Sequence, residues 1–113
     1  MKIVYQRQTK SFANGKNCVA IEYPMDDKDI NGAVIELTGR YPESGRTVNL
    51  ECKELAYVIA GAGKVFVNDE KIDLQMGDLV LIEPGEKFFW DGTMTLFVPC
   101  APAWHPGQYK QVD

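Results

Sequence analysis

The sequence predicts an all-β fold, a sandwich or barrel, on three observations. Turn signals recur at short intervals: Asn31-Gly32, Pro42 to Gly45, Gly61-Ala62-Gly63, Asn68-Asp69, Gly77-Asp78, Pro84-Gly85 and Asp91-Gly92. The segments between them are short and rich in Val, Ile, Phe and Tyr, side chains that suit a pleated, half-buried surface. No stretch repeats its apolar residues with the period of an amphipathic helix.

Taken in order, the amino-terminal part to Asp29 offers one strand, Cys18 to Tyr23, followed by the charged cluster Asp26-Asp27-Lys28-Asp29, which reads as a solvated loop. Val65 to Ile72 forms a hairpin about Asn68-Asp69. Asp91-Gly92 lies between two apolar runs, from Phe88 to Phe97, and predicts a hairpin with a two-residue turn at positive φ. That register pairs Trp90 with Thr93 and Phe88 with Thr95, placing these four and Phe97 on one face and Phe89, Met94, Leu96 and Val98 on the other. From Pro99 the chain becomes proline-rich and aromatic. Pro99, Pro102 and Pro106 exclude a regular helix or central strand, and Trp104 and Tyr109 are expected to pack the tail onto the barrel.

At 113 residues the chain is expected to form one domain, 1–113, with a barrel core at about 31–100 and a tail at 99–113. A domain of this size buries about two-thirds of its unfolded surface. With 12 basic and 16 acidic residues and no basic run, it lacks the electrostatic footprint of a nucleic-acid or anionic-membrane partner. Cys18, Cys52 and Cys100 are odd in number and widely spaced, which argues against a disulfide framework and for a reducing compartment. No apolar run reaches the length of a signal peptide core or a membrane span, so a cytoplasmic location is expected.

Two motifs carry a family resemblance. Glu54 and Gly61 match in type and spacing the second half of G-x5-H-x-H-x3/4-E-x6-G, the first cupin motif. Counting back from Glu54, the histidine positions fall on Thr47 and Asn49 with the longer spacer, or on Val48 and Leu50 with the shorter one. The second motif, G-x5-P-x-G-x2-H-x3-N, resembles the run from Gly77 to Gly92. Gly77 and Gly85 fit, the proline is displaced by one to Pro84, Phe88 stands at the third histidine and Gly92 at the asparagine. The chain therefore resembles the cupin superfamily, as a small single-domain cupin with its metal-binding histidines replaced. The resemblance implies a double-stranded β-helix, the cupin or jelly-roll barrel.

It further implies that Phe88 and Glu54 point inward. Alternation then sends Cys52, Ala56 and Val58 inward beside Glu54, and Leu55, Tyr57 and Ile59 outward. Outward apolar residues on so small a barrel call for a partner subunit, so a homodimer is expected. Lys53 and Lys87 flank inward positions and point away.

Glu54 is the one catalytic candidate. A carboxyl facing an apolar interior has its charged form disfavoured, which moves its pKa toward neutrality and suits it to acid or base work. Phe88 and Trp90 offer a stacking platform for a flat ligand, and Asn49, Cys52, Thr93 and Thr95 complete the candidate ligand-binding set. No metal and no cofactor are expected, because His105 is the only histidine and Cys52, Glu54 and His105 show no ligand spacing. Cys52 and Cys100 lack an adjacent base and read as small apolar residues. Gly61-Ala62-Gly63 lacks the helix and lysine of a phosphate loop. The residues thus support a metal-independent protein that binds or senses a small organic ligand in an aromatic barrel. The alternatives are a metal-independent isomerase, epimerase or lyase using Glu54, and an interaction scaffold with a filled barrel.

Overall fold

Nine strands and two short 3₁₀ turns make up the chain, and the computed structural model describes all 113 residues. The strands are β1 (Lys10–Ala13), β2 (Cys18–Tyr23), β3 (Asn31–Thr38), β4 (Arg46–Asn49), β5 (Lys53–Val67), β6 (Glu70–Gln75), β7 (Leu79–Ile82), β8 (Lys87–Ala101) and β9 (Tyr109–Val112). All pairings are antiparallel. No helix is long and apolar enough to cross a membrane.

Two 15-residue strands, β5 and β8, organise the sheet. They pair along their length, with Glu54 opposite Cys100 and Val67 opposite Phe88, through one register shift between Val58 and Ala60. On its other edge β8 changes partner as it runs. It meets β4 at Phe88, Tyr41 at Trp90, and β3 from Thr93 to Cys100. β1 and β2 extend the sheet beyond β3, β6 and β7 pair with the two halves of β5, and β9 covers β4. A long strand that exchanges neighbours in this way must curl, and the sheet closes on a core that includes Phe88, Leu37, Ile82, Leu96, Val58 and Val65.

The turn signals locate most of the strand ends. β2 spans the expected Cys18–Tyr23, and the β5–β6 hairpin turns at Asn68, whose φ is +52°. Asp91-Gly92 behaves differently from the two-residue turn the sequence predicts. β8 runs through it, and Gly92 lies opposite Gly63 of β5. A Cβ on Gly92 would stand 2.5 Å from the Gly63 Cα, so the glycine serves a close strand approach rather than a turn.

Since the chain does not turn there, side-chain parity carries through. Met94, Leu96, Val98 and Cys100 follow Phe88 and Trp90 inward and are buried, whereas Thr93 and Phe97 are exposed and Thr95 is half-buried on the other face. Thr93, Thr95 and Phe97 therefore do not share the inner face with Trp90. The tail also starts later than expected, because Pro99 is a strand residue of β8 opposite Gly32.

Candidate functional site

The inner face of the curled sheet encloses a cavity of about 940 Å³, with 15 hydrophobic residues among the 27 that line it. Phe88 and Trp90 stand edge to face on its wall, ring centroids 6.1 Å apart at 82°. Trp90 is positioned by two backbone hydrogen bonds with Tyr41, at 2.8 and 2.9 Å, and this pairing brings Tyr41 to the same wall. Phe88 and Trp90 line this cavity together.

The tail supplies a further part of the wall. Asn31, at the start of β3, holds Trp104 by its main chain, donating to the Trp104 carbonyl at 2.9 Å and accepting from its N–H at 2.8 Å. Trp104 in turn packs on Tyr109 at 5.5 Å, and both rings line the cavity with Pro106. The rim carries the exposed Lys10, Asp26, Lys28 and His105.

Glu54 lies on this wall at the end of a fixed chain of amides. The Gln108 Oε1 accepts from the backbone N–H groups of Glu51 and Cys52, at 3.1 and 3.2 Å. That fixes the orientation of the Gln108 amide, so its Nε2 donates to the Asn49 Oδ1 at 2.9 Å. The Asn49 amide is then fixed as well, and its Nδ2 donates to the Glu54 Oε1 at 3.0 Å. Asn49, Glu54 and Gln108 are all buried. One carboxyl oxygen is thus held from behind, while the other takes no donor from the protein and the side chain lines the cavity.

Burial raises the Glu54 pKa to about 7, with the Asn49 hydrogen bond pulling the other way. Two phenols stand near it, Tyr41 and Tyr109, their hydroxyls 3.3 Å apart. Burial raises the pKa of both, and the charge of Glu54 adds to the rise. The Cys18 thiol is pushed up to about 11 by burial, and Cys52 and Cys100 rise for the same cause. The base of the cavity therefore presents one carboxyl that titrates near neutrality among neutral hydroxyls and thiols.

The whole barrel matches that of Streptomyces Pac13, described as a nucleoside dehydratase, with a TM-score of 0.90 over 99% of this chain and 91% of that one, at 17% identity. The chain has the cupin fold. Residues 36–90 of this chain match the family model described as the AraC-like ligand binding domain. KdgF from Halomonas sp. matches it with a TM-score of 0.73 over 88% of this chain and 94% of that one, at 13% identity. Oxalate decarboxylase from Bacillus subtilis matches at 0.82 over 98% of this chain but 31% of that longer one, at 18% identity. At these identities the likeness is one of fold. No curated protein matches the sequence.

Of the residues singled out from the sequence, this cupin brings Glu54, Phe88 and Trp90 to the cavity wall. Asn49 stands behind Glu54, and Cys52 is packed in the core rather than on the wall. Thr93 and Thr95 face away, for the parity reason given above. Tyr109 was expected only as an aromatic residue packing the tail onto the barrel; Tyr41 and Gln108 escaped the sequence reading, and Gln108 had no signal.

The donor set does not fit the family's metal. With the longer spacer, Thr47 and Asn49 take the first two histidine positions of the motif and Phe88 the third; with the shorter one, Val48 and Leu50 offer no donor at all. The Thr47 hydroxyl donates to the Phe88 carbonyl at 3.3 Å, both ends of the Asn49 amide are engaged, and a phenyl ring offers no lone pair. No group of three His, Cys, Asp or Glu is close enough to hold an ion. His105 lies 3.5 Å from the exposed Glu51.

Proposed function

We propose that this cupin binds or senses a small organic molecule inside its barrel, without a metal ion. The observation that carries this reading is a cavity of about 940 Å³, aromatic on its walls, with Glu54 as the single buried charge-bearing side chain where the family would hold a metal. Its volume lies in the range of pockets that enclose drug-sized ligands. Pac13 is described as a nucleoside dehydratase and is known with uridine, which makes uridine a sensible first neutral probe.

The outer face supports a homodimer. Tyr57 stands opposite both Leu79 and Phe97, and with Ile59 and Leu81 they form a patch on β5, β7 and β8 in which each side chain is 43–60% exposed. Three buried, unpaired thiols suit a reducing compartment, the cytoplasm.

Native mass spectrometry of chelator-free protein, with and without uridine, checks these statements together. The expected species is a dimer that carries or takes up an organic mass and no metal. A metal at stoichiometric occupancy overturns the reading, and a monomer removes the dimer alone.

A second reading has its own observation: Glu54 titrates near neutrality beside the Tyr41–Tyr109 pair, so a base and a phenolic proton donor face one cavity. Such a pair suits an isomerase, epimerase or lyase, in which Glu54 takes a proton from carbon and a tyrosine returns one.

A further inference from the structure

We infer that the ligand is a small organic cation, an amine with an apolar body, whose charge rests on Glu54 among the rings of Tyr41, Trp90 and Tyr109. This rests on the small-molecule reading above and narrows it to one chemical class.

The count of free polar groups decides between classes. At depth the cavity has few hydrogen-bonding groups left for a ligand. Both ends of the Asn49 and Gln108 amides are engaged, the Thr47 hydroxyl donates to a carbonyl, and Thr93 and Thr95 face outward. What remains is one oxygen of Glu54, two tyrosine hydroxyls that already bond each other, the weakly bonding thiols of Cys18 and Cys100, and the half-buried Asn14 amide. A polyhydroxylated ring buried here would leave several hydroxyls unpaired, each at a cost of about 1–3 kcal/mol. An anion meets a carboxyl and no buried cation, because Lys10 and Lys28 lie on the exposed rim.

An ammonium group suits the same surroundings. It needs one carboxylate and the electron-rich faces of aromatic rings, and Tyr41, Phe88, Trp90, Trp104 and Tyr109 all line the cavity with Glu54. The hydrophobic majority of the wall then covers the apolar body. At the mouth Glu22, Asp26 and Asp27 stand with Lys10 and Lys28, and Asp27 is paired with Lys2 at 3.0 Å, so the rim charges nearly balance and the attraction for a cation comes from Glu54.

A cation on Glu54 favours the carboxylate, so binding releases a proton wherever the free carboxyl is protonated, and affinity rises with pH through neutrality. The other titratable groups about the cavity are Cys18, Cys100, Tyr41 and Tyr109 on the wall, and Lys10, Glu22, Tyr23, Asp26, Asp27, Lys28 and His105 toward the mouth. Substitution of Glu54 alone separates its contribution from theirs.

The chain has two tryptophans, Trp90 and Trp104, and both line the cavity, so intrinsic fluorescence reads occupancy. Phenethylamine and 2-phenylethanol are probes of similar size, charged and neutral. At about pH 8 the amine is expected to bind about tenfold or more tightly than the alcohol, with most of that preference gone at about pH 5.5. In Glu54→Gln the preference is expected to vanish, the amine losing the advantage it holds over the alcohol at about pH 8. Equal affinities at the higher pH, or a preference that survives in the Gln variant, overturn the inference; the pH series in the unaltered protein decides the matter should the variant fail to fold. Binding of uridine but not of the amine overturns the cation and leaves the small-molecule reading intact. If none of the three binds, both fall.

Discussion

Replacing Gly92 with Val is expected to lower the unfolding free energy by about 3–5 kcal/mol, a large part of the stability of a domain this size. Two costs combine. The backbone at Gly92 has a φ of +139°, where a β-branched residue is strained, and a Cβ there would stand 2.5 Å from the Gly63 Cα and 2.9 Å from the Ala62 carbonyl oxygen. Both contacts are to backbone, which cannot swing aside, so β5 and β8 must separate at this point. Gly85 is the control. It also has a positive φ, +86°, but nothing lies within 4 Å of the added Cβ, so Gly85→Ala is expected to cost only about 1 kcal/mol of strain. Urea denaturation of the two variants checks the contrast; similar losses would mean that backbone conformation, and not strand approach, explains Gly92.

Glu54→Gln is expected to make the protein more stable at neutral and alkaline pH than the unaltered chain. The Glu54 pKa is near 7 in the folded protein against an ordinary value of 4.5, so between those values the folded state holds a proton that the unfolded state has released. The neutral carboxyl therefore favours the folded state fully below about pH 4.5, and that advantage is lost as pH rises through 7. The full loss corresponds to about 3 kcal/mol. Glutamine has no charge to bury and keeps an oxygen for the Asn49 amide. The unfolding free energy of the variant minus that of the unaltered protein should grow by this amount from about pH 4.5 to 8, all other titrating groups being common to both. Parallel pH profiles would show that water or relaxation already solvates the Glu54 carboxylate.

Much of the fold was legible because it depends on local pattern. Alternation around Glu54 placed Cys52, Ala56 and Val58 inside and Tyr57 and Ile59 outside, as the burial of β5 shows. The motif frame placed Phe88 inside, and Lys53 and Lys87 outside, for the same reason. Asp91-Gly92 misled because a glycine serves either a turn or a close approach, and only the Gly63 that faces it, far away in sequence, distinguishes the two.

The polar base of the cavity was half legible. Glu54 and Asn49 fall within the first motif, but Tyr41 reaches the wall through an isolated bridge to Trp90, and Gln108 takes its place behind Asn49 through contacts with residues more than fifty positions away. No period or spacing along the chain encodes such pairings.

The amide chain behind Glu54 also has a meaning in time. Asn49 and Gln108 are separated by 59 positions, so the ribosome releases the barrel's carboxyl and its immediate partner well before the residue that locks them. Until Gln108 docks, the N–H groups of Glu51 and Cys52 and the Asn49 carbonyl lack their lasting partners, and the pocket is unfinished although most of its sheet exists. Any molecule that bound only the finished pocket would, by mass action, favour chains in which the segment around Gln108 has docked.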